Sequence, residues 1–419
     1  MTMDKRMKVS ALSFIIVVGF TAAAGYHYYR GMYLGRPYPE NTFLFLPSVH
    51  FSDFYDVVRD GHTLDPYLEY SSAQYPFLAL LGYLFSLIPR YHYAVFAATV
   101  CGVLFFGAVH LWVDNWHMSA THVFVIALLS YPFLIAVDRG NFELLVFILL
   151  LAFLFFFTRK RYWASALCLS LAISMKLYPA ILLVLFVPER KYREMAATIA
   201  SAAAVTLASL ACFNGGIGPN LTFLLRGANL GSNPLFAQFT SLSSPMVQRG
   251  VSLLTFIKIV SIETGVFQGL DVGRFLSWYF VSAGLVGVLV VLYVVFVEKE
   301  AWKRTALLVF AMLLLPHISA DYKLLHLYLA LYLFVNCRTH SKSDAMFLLM
   351  FGLLLIPKDY GYLSHVISDA AGVNDISLAV PANIIVIVLM SLMIVSAGLA
   401  KRVQDPRKKS ATIEVQSPG

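Results

Sequence analysis

The feature that most constrains this chain is a series of long apolar segments separated by short loops rich in lysine and arginine. Hydrophobic residues make up 59% of the 419 residues and charged residues only 13%, whereas a soluble domain carries about 25% charged residues. A segment of about 20 apolar residues is long enough to cross a bilayer as a helix. The pattern therefore indicates one all-α, polytopic membrane domain over residues 1–419, without a separate soluble domain.

The placement of charge predicts which side of the membrane each loop faces. Lysine and arginine collect in loops that stay in the cytoplasm. The basic segments are the N-terminus, 159–161, 189–194, 298–304, 338–344 and the short tail 401–419. Residues 30–75 instead carry six acidic and three basic residues. We therefore expect segment 30–90 to be extracytoplasmic, with 214–274 as a second extracytoplasmic loop.

These assignments agree if the chain crosses the membrane twelve times and both termini lie in the cytoplasm. The predicted spans are 10–28, 91–113, 120–137, 141–158, 162–175, 177–188, 195–213, 275–297, 305–316, 324–337, 345–357 and 378–400. Segment 76–89 would be only about 20 Å long as a helix, short of a ~30 Å hydrocarbon core. We place it at the outer surface as an interfacial or re-entrant segment, and we place 251–260 there as well.

Two pairs of predicted spans are too short to cross the membrane unaided. Their connecting turns lie at Lys176 and at the sequence HISADYK (317–323). Polar backbone below the membrane surface is tolerated only inside protein or around a water-filled cavity. We expect these two turns, with DRGN (138–141) as a third, to line one cavity that opens outward.

Charges at membrane depth are unfavourable and often mark function. Those expected at depth or on the adjoining outer loop are Asp53, Asp56, Asp138, Arg139, Glu143, Lys176, Lys258, Asp321 and Lys323. A carboxylate can take a proton from a hydroxyl nucleophile, and fixed cations can stabilise a departing phosphate. The alternative for each is a structural role, in which Asp138 and Arg139 neutralise each other or Lys176 reaches for the interface.

Lys176 is the only charged residue between Arg161 and Glu189. An unpaired ammonium at membrane depth is unfavourable, so something anionic should offset it. We expect the phosphate of a substrate to be that anion and Lys176 to lack a counter-ion until it binds. The alternative is an internal ion pair, with Asp138 or Asp321 as the partner.

Several classes of site have no signature in this sequence. It contains no Walker A loop, no GxGxxG after a strand and no HExxH, the motifs of nucleotide and zinc sites. A soluble nucleotide-sugar donor is therefore not indicated. We predict no metal site, no obligatory cofactor and no nucleic-acid partner.

Four short motifs occur in an order that is typical of one enzyme family. They are SDFYDVVRDG (52–61), YPFLALL (75–81), DRGNFELL (138–145) and AISMKLYPAILL (172–183), with LLPHISADYK (314–323) following later. The chain resembles the integral-membrane glycosyltransferases of the C-type fold that use polyprenyl-phosphate sugars. It is most similar to the alpha-mannosyltransferase group of family 87. It departs from the family pattern at Phe77, in lacking a glutamine before Asn141, and in carrying Tyr322 and Lys323 where paired histidines are typical.

The resemblance implies an inverting glycosyl transfer at the extracytoplasmic face of the plasma (inner) membrane. Asp53 matches the family's general base, and Asp56 is the alternative, one helical turn later. The donor would be a polyprenyl-phosphate-linked sugar, a hexose such as mannose, and the acceptor a lipid-linked or cell-surface glycan. Lys176, Arg139 and Lys323 are the candidates for binding the donor phosphate. The candidates for other substrate contacts are Asp56, Tyr75, Asp138, Asn141, Tyr178, His317 and Asp321.

Two other classes of function stay open on the sequence alone. One is a secondary transporter or flippase of a lipid-linked sugar, which internal repeats would favour. The other is an O-antigen-type polymerase or ligase, which arginine-rich outer loops would favour. Transfer from a radiolabelled polyprenyl-phosphate sugar, abolished by Asp53→Ala, would distinguish the glycosyltransferase from both.

Overall fold

A computed structural model describes residues 4–44, 50–67, 75–88, 92–112, 122, 125–227, 249–266, 271–337, 341–368 and 372–404. Nearly all regular structure in these ranges is helical. The first nine α-helices are α1 (Lys5–Tyr28), α2 (Ser52–Gly61), α3 (Pro76–Ser86), α4 (His92–Trp112), α5 (Tyr131–Asp138), α6 (Glu143–Thr158), α7 (Tyr162–Met175), α8 (Tyr192–Cys212) and α9 (Ile217–Gly227). The following six are α10 (Leu253–Thr264), α11 (Val272–Phe296), α12 (Ala301–Leu314), α13 (Leu327–Val335), α14 (Asp344–Leu355) and α15 (Ala379–Gln404).

Three tighter or wider helical segments and one hairpin complete the described structure. The helical segments are a π-helical turn at Tyr29–Tyr33 and 3₁₀ helices at Tyr178–Phe186 and Asp321–His326. Strands β1 (Tyr362–Ser368) and β2 (Gly372–Ser377) pair antiparallel, with Tyr362 opposite Ser377. The expectation of an all-α chain is therefore right for the body of the protein and wrong for this small hairpin.

Four described helices are long and apolar enough to cross a membrane. They are Lys5–Tyr33, Tyr192–Cys212, Val272–Phe296 and Ala379–Arg402. Others are apolar but shorter, including α3, α6, α7 and α14; the 16 residues of α6 would span about 24 Å. Twelve crossings therefore stay a prediction, because several of the crossings would use helices shorter than a bilayer core. Helix α3, within 76–89, has 11 residues, in keeping with a segment that does not cross.

The contrast between α11 and α12 locates the centre of the molecule. Twelve of the 14 residues of α12 are buried, whereas only Tyr279 and Val294 are buried among the 25 residues of α11. A helix that is apolar all round and buried lies in a protein interior, while an apolar helix left exposed suits contact with lipid. Helix α12 is therefore central, and α11 lies at the periphery.

The helices break at the three turns that the sequence analysis singled out. Helix α5 ends at Asp138 and Gly140 follows with a φ of +60°. Helix α7 ends at Met175, and Lys176 is extended, two residues before the Tyr178-Pro179 step that starts a 3₁₀ helix. Pro179 has no N–H to donate to the carbonyl of Met175, so an α-helix cannot continue unbroken through the LYP sequence.

Close backbone packing fixes α2 against α3. A Cβ atom on Gly61 would lie 2.5 Å from the carbonyl oxygen of Ala79, and one on Gly82 would lie 2.3 Å from that of Val57. Only glycine permits this approach. The two helices thus form a closely packed pair that carries Asp53 and Asp56.

Candidate functional site

Asp53, in the first turn of α2, forms the exposed end of the site. One of its carboxylate oxygens accepts a hydrogen bond from the Arg139 guanidinium, and the other accepts one from the Asn141 side-chain amide. The Asp53 side chain is 19% exposed. Charge-assisted hydrogen bonds are strong and directional, so these two partners fix the direction of the Asp53 carboxylate. Asp53, Arg139 and Asn141 were predicted site residues, and the fold brings them together.

Aromatic packing and one glycine hold α2 at the DRGN turn. Phe54 is fully buried and stacks on Phe142 with a ring separation of 5.6 Å. The Phe51 amide donates to the carbonyl of Asp138 at 2.8 Å. A Cβ on Gly140 would lie 2.6 Å from Cδ1 of Phe51, in a left-handed conformation that only glycine adopts freely. The turn can therefore approach α2 only because residue 140 is glycine.

Behind Asp53 lies a buried carboxylate, Glu143, at the start of α6. Its two oxygens have different partners: Oε2 lies 3.1 Å from Nζ of Lys176, and Oε1 lies 2.9 Å from Nε2 of His326. Glu143 is completely buried, while the Lys176 side chain is 19% exposed. Asn141 links this pair to Asp53, because its Oδ1 accepts the backbone N–H of Glu143 at 2.8 Å.

The expectation that Lys176 lacks a counter-ion is wrong. Its partner is Glu143, 33 residues earlier in the chain, and not Asp138 or Asp321. Burial disfavours the Lys176 ammonium, but the Glu143 carboxylate outweighs that effect and raises the pKa of Lys176 above its usual range. A buried lysine is stable in its charged form only with such a partner.

The third predicted turn, at the start of the second 3₁₀ helix, closes the site. The Tyr178 hydroxyl lies 3.0 Å from Nε2 of His326, and Nζ of Lys323 sits 4.7 Å from the Tyr178 ring centroid. Burial and the nearby Lys176 charge lower the pKa of Lys323 to about 8, against the opposite effect of Glu143. Tyr322 lies among the charges of both ion pairs, and its burial raises its pKa to about 12. The three turns therefore do meet in space.

Asp321 belongs to a second cluster, centred on Arg249. Its carboxylate accepts a hydrogen bond from Tyr131, whose hydroxyl oxygen in turn accepts one from Arg249 at 2.6 Å. Arg249 also lies 4.0 Å from Asp359 and donates to the carbonyls of Phe43 and Leu44. Burial raises the pKa of Asp321 to about 6, although Arg249 opposes it. Asp321 was predicted to contact substrate; the cluster to which it belongs joins five chain segments, at residues 43–44, 131, 249, 321 and 359.

The other predicted substrate contacts lie around these clusters. Asp138 pairs with His50, and the exposed Asp56 pairs with Arg59 at 3.0 Å. Tyr75 precedes the first residue of α3 and is partly exposed. The His317 ring packs 5.5 Å from that of Phe280, and burial together with Lys323 lowers its pKa to about 4.

Sequence reasoning missed the roles of Glu143, His326 and Arg249. Glu143 had a visible signal, since it is the only charged residue of the apolar helix α6. His326 and Arg249 had none, because their partners lie 183 and 118 residues away in the sequence. Among the described residues, no group of three or more histidine, cysteine, aspartate or glutamate side chains is placed to hold a metal ion.

The arrangement suits a proton transfer next to a developing negative charge. One partly exposed carboxylate can accept a proton. The Arg139 guanidinium contacts it, and the Lys176 and Lys323 ammonium groups lie around the neighbouring Glu143. These cations can stabilise an anionic leaving group.

Comparison with known proteins assigns the family. The family model described as glycosyltransferase family 87 matches residues 75–319, more than half of the chain. The match starts after α2, so the motif that contains Asp53 precedes it. No curated protein and no solved structure matches the chain. The family predicted from the sequence motifs is confirmed: the chain belongs to glycosyltransferase family 87 and is a membrane glycosyltransferase.

Proposed function

We propose that this enzyme transfers a sugar from a polyprenyl phosphate to a lipid-linked or cell-surface glycan, with inversion at the anomeric carbon. Asp53 is the general base. The sugar that we propose is a hexose such as mannose, because the chain resembles the alpha-mannosyltransferase group. The observation that carries the proposal is a partly exposed carboxylate at the edge of a buried, cationic cluster.

The contrast between Asp53 and Glu143 supports Asp53 as the base. Glu143 is wholly buried and both of its oxygens are engaged by Lys176 and His326, so an acceptor hydroxyl has no path to it. The Asp53 side chain is 19% exposed. It lies at the start of helix α2, within the segment 30–90 that we expect to be extracytoplasmic. A general base has to come within hydrogen-bond reach of the proton that it removes.

The charge of the site fits a phosphodiester donor. Asp53 and Glu143 are carboxylates, while Arg139, Lys176 and, near neutral pH, Lys323 are cations, so these five groups together carry one positive charge. The phosphate of a polyprenyl-phosphate sugar carries one negative charge. When the sugar departs, the phosphate becomes a monoester and gains further negative charge, which three nearby cations are suited to stabilise.

The proposed step is a single displacement. Asp53 takes the proton of the acceptor hydroxyl as that oxygen attacks the anomeric carbon. The bond between this carbon and the phosphate oxygen breaks, and the electron pair leaves with the polyprenyl phosphate. Attack opposite to the leaving group inverts the anomeric configuration.

We place the site on the extracytoplasmic side of the plasma membrane, in a fold of the C-type with about twelve crossings. The charge asymmetry of the loops supports this orientation. Arg59 is a suitable reporter, because it lies on α2 with a 61% exposed side chain. In a cysteine-free background, an Arg59→Cys protein in intact cells should react with a membrane-impermeant thiol reagent. Labelling only after the membrane is opened would reverse the proposed orientation.

The activity is tested in membranes with a radiolabelled polyprenyl-phosphate hexose. Parental membranes should move label into a glycan of opposite anomeric configuration. Asp53→Asn should lower the rate at least about 10²-fold, the usual contribution of a positioned base, while the protein stays folded. Release of the intact lipid-linked sugar across the membrane, with no transfer, would favour a flippase. Parental turnover by Asp53→Asn would remove Asp53 from the mechanism.

A further inference from the structure

We propose that Glu143 is a positioning residue that holds the Lys176 ammonium charged and in place at the site before the donor phosphate arrives. The inference rests on the proposed function, in which Lys176 contacts that phosphate. Glu143 has no exposed surface and lies 3.1 Å from Lys176, whose side chain is about one-fifth exposed. The carboxylate is thus sealed inside, and the cation faces the substrate.

The partners of Glu143 explain how it stays ionised when Lys176 turns to a phosphate. His326 approaches Oε1 with Nε2, while its Nδ1 is buried without a hydrogen-bond partner. In the tautomer that carries its proton on Nε2, His326 donates to Glu143 whether or not Lys176 does.

Lys176 can serve both anions because an ammonium has three N–H donors. Glu143 needs one of them, which leaves donors for an oxygen at the exposed side. The charged or titratable groups that face Lys176 are Glu143, Asp53, Tyr322 and Lys323, with Arg139 and His326 one contact further. Glu143 is the strongest of these, and it opposes the burial that disfavours the ammonium.

A charge that depends on Glu143 predicts a pH profile. Without the carboxylate, burial lowers the pKa of Lys176, and the ammonium is lost at a lower pH. Each pH unit above that pKa removes about 90% of the remaining charged form. The affinity for the donor should then fall as the pH rises, while an arginine at position 176 stays charged and should not respond.

The experiment compares three purified proteins in a Lys323→Arg background, so that residue 323 does not titrate in the same range. They are the background protein, the same protein with Glu143→Gln, and the same protein with both Glu143→Gln and Lys176→Arg. The apparent KM for a polyprenyl-phosphate hexose is measured from pH 6 to pH 9. We expect a flat profile for the first, a rise of about tenfold or more for the second, and a flat profile again for the third.

Two results would overturn the inference. One is a flat profile for Glu143→Gln, and the other is a rise that persists with arginine at position 176. If Glu143→Gln does not accumulate, Glu143→Asp takes its place: it keeps the negative charge, and the inference requires a flat profile. A purely structural role would change the amount of folded protein without any change in the profile. A background protein that transfers nothing at any pH would count against the proposed function instead.

Discussion

Among the residues that the structure describes, two lysines pair with a carboxylate that is less than 5% exposed, and only one of these two lysines has a partly exposed side chain. Lys8 lies 2.8 Å from Asp344, and their side chains are 1% and 4% exposed. The Lys8 ammonium also sits 4.2 Å from the ring centroid of Phe334, which covers it. Lys176 and Glu143 are similarly close, but the Lys176 side chain is 19% exposed.

Burial of a carboxylate does not by itself mark function. Around Lys8 we see an aromatic ring and a backbone carbonyl, so the pair satisfies itself. Around Lys176 lie Asp53, Tyr322 and Lys323, so its charge interacts with several groups besides Glu143. A closed pair can only stabilise the fold, whereas a pair with one exposed cation can also bind an anion.

Removing both charges of a pair should affect donor binding at the Lys176 pair and not at the Lys8 pair. The Lys176→Met/Glu143→Gln protein leaves no uncompensated buried charge, so it should fold, but its donor KM should rise about 100-fold, as expected for the loss of one strong phosphate contact. The Lys8→Met/Asp344→Asn protein should keep donor KM and kcat within about twofold, because replacing both members of a buried pair is often nearly neutral. Equal losses in both proteins would remove the distinction between the pairs.

The second test concerns how tightly α2 is held against the turn that bears Arg139. Gly140→Ala adds a Cβ that would lie 2.6 Å from the Phe51 ring, in a left-handed conformation. We expect kcat/KM to fall about tenfold or more, since strain of this kind amounts to about 1–3 kcal/mol and displaces Asp53 from its partners. Gly284→Ala in α11 is the matched control, because a Cβ there meets nothing within 4 Å. Similar activity in the two variants would contradict the positional argument.

Lys323, the second lysine of the site, should make the donor KM depend on pH. The pKa of Lys323 is lowered to about 8, so the cation is present below that pH and is lost as the pH rises through it. The donor KM of the parental enzyme should therefore increase about tenfold per pH unit above 8 if this charge binds the phosphate. Lys323→Arg should move the increase to higher pH, because a guanidinium stays charged. An unchanged profile in Lys323→Arg would exclude Lys323 from donor binding.

The smallest effect is expected at Asp56, which forms an exposed pair with Arg59. Exposed ion pairs contribute about 0–1 kcal/mol, and the Asp56 side chain is 49% exposed. Asp56→Asn should change kcat and stability by no more than about threefold and about 1 kcal/mol, respectively. If Asp56→Asn were inactive and Asp53→Asn were active, the two carboxylates would exchange roles.

Local signals in the sequence predicted the positions of the turns. Glycine after Asp138, the Tyr178-Pro179 step and the polar stretch before α13 each interrupt an apolar run, and the helices end there. Asp53 is a candidate base because of its motif and its place in a polar, acidic segment, and that role stays a prediction. These features depend on neighbouring residues, which a single sequence displays.

The pairings could not be read from the sequence because they join distant parts of the chain. Lys8 belongs to the basic N-terminus, and nothing near it in the sequence indicates that it is buried against Asp344, 336 residues later. Lys176 was expected to be unpaired because its own helix offers no acid, and the acid that it uses begins the preceding apolar helix. Residues 362–368 and 372–377, which form the β1–β2 hairpin, do not alternate polar and apolar residues strongly enough to predict strands.

We propose a division of roles in which Asp53 performs the proton transfer while the Lys176 side of the site holds the donor. A single-turnover experiment separates the two roles: the Asp53→Asn protein in proteoliposomes is loaded with radiolabelled polyprenyl-phosphate hexose, and acceptor is then added. We predict that the variant retains the donor at parental affinity and that the rate of label transfer falls at least about 10²-fold. Transfer at the parental rate, or failure of the folded variant to bind the donor, would contradict this division of roles.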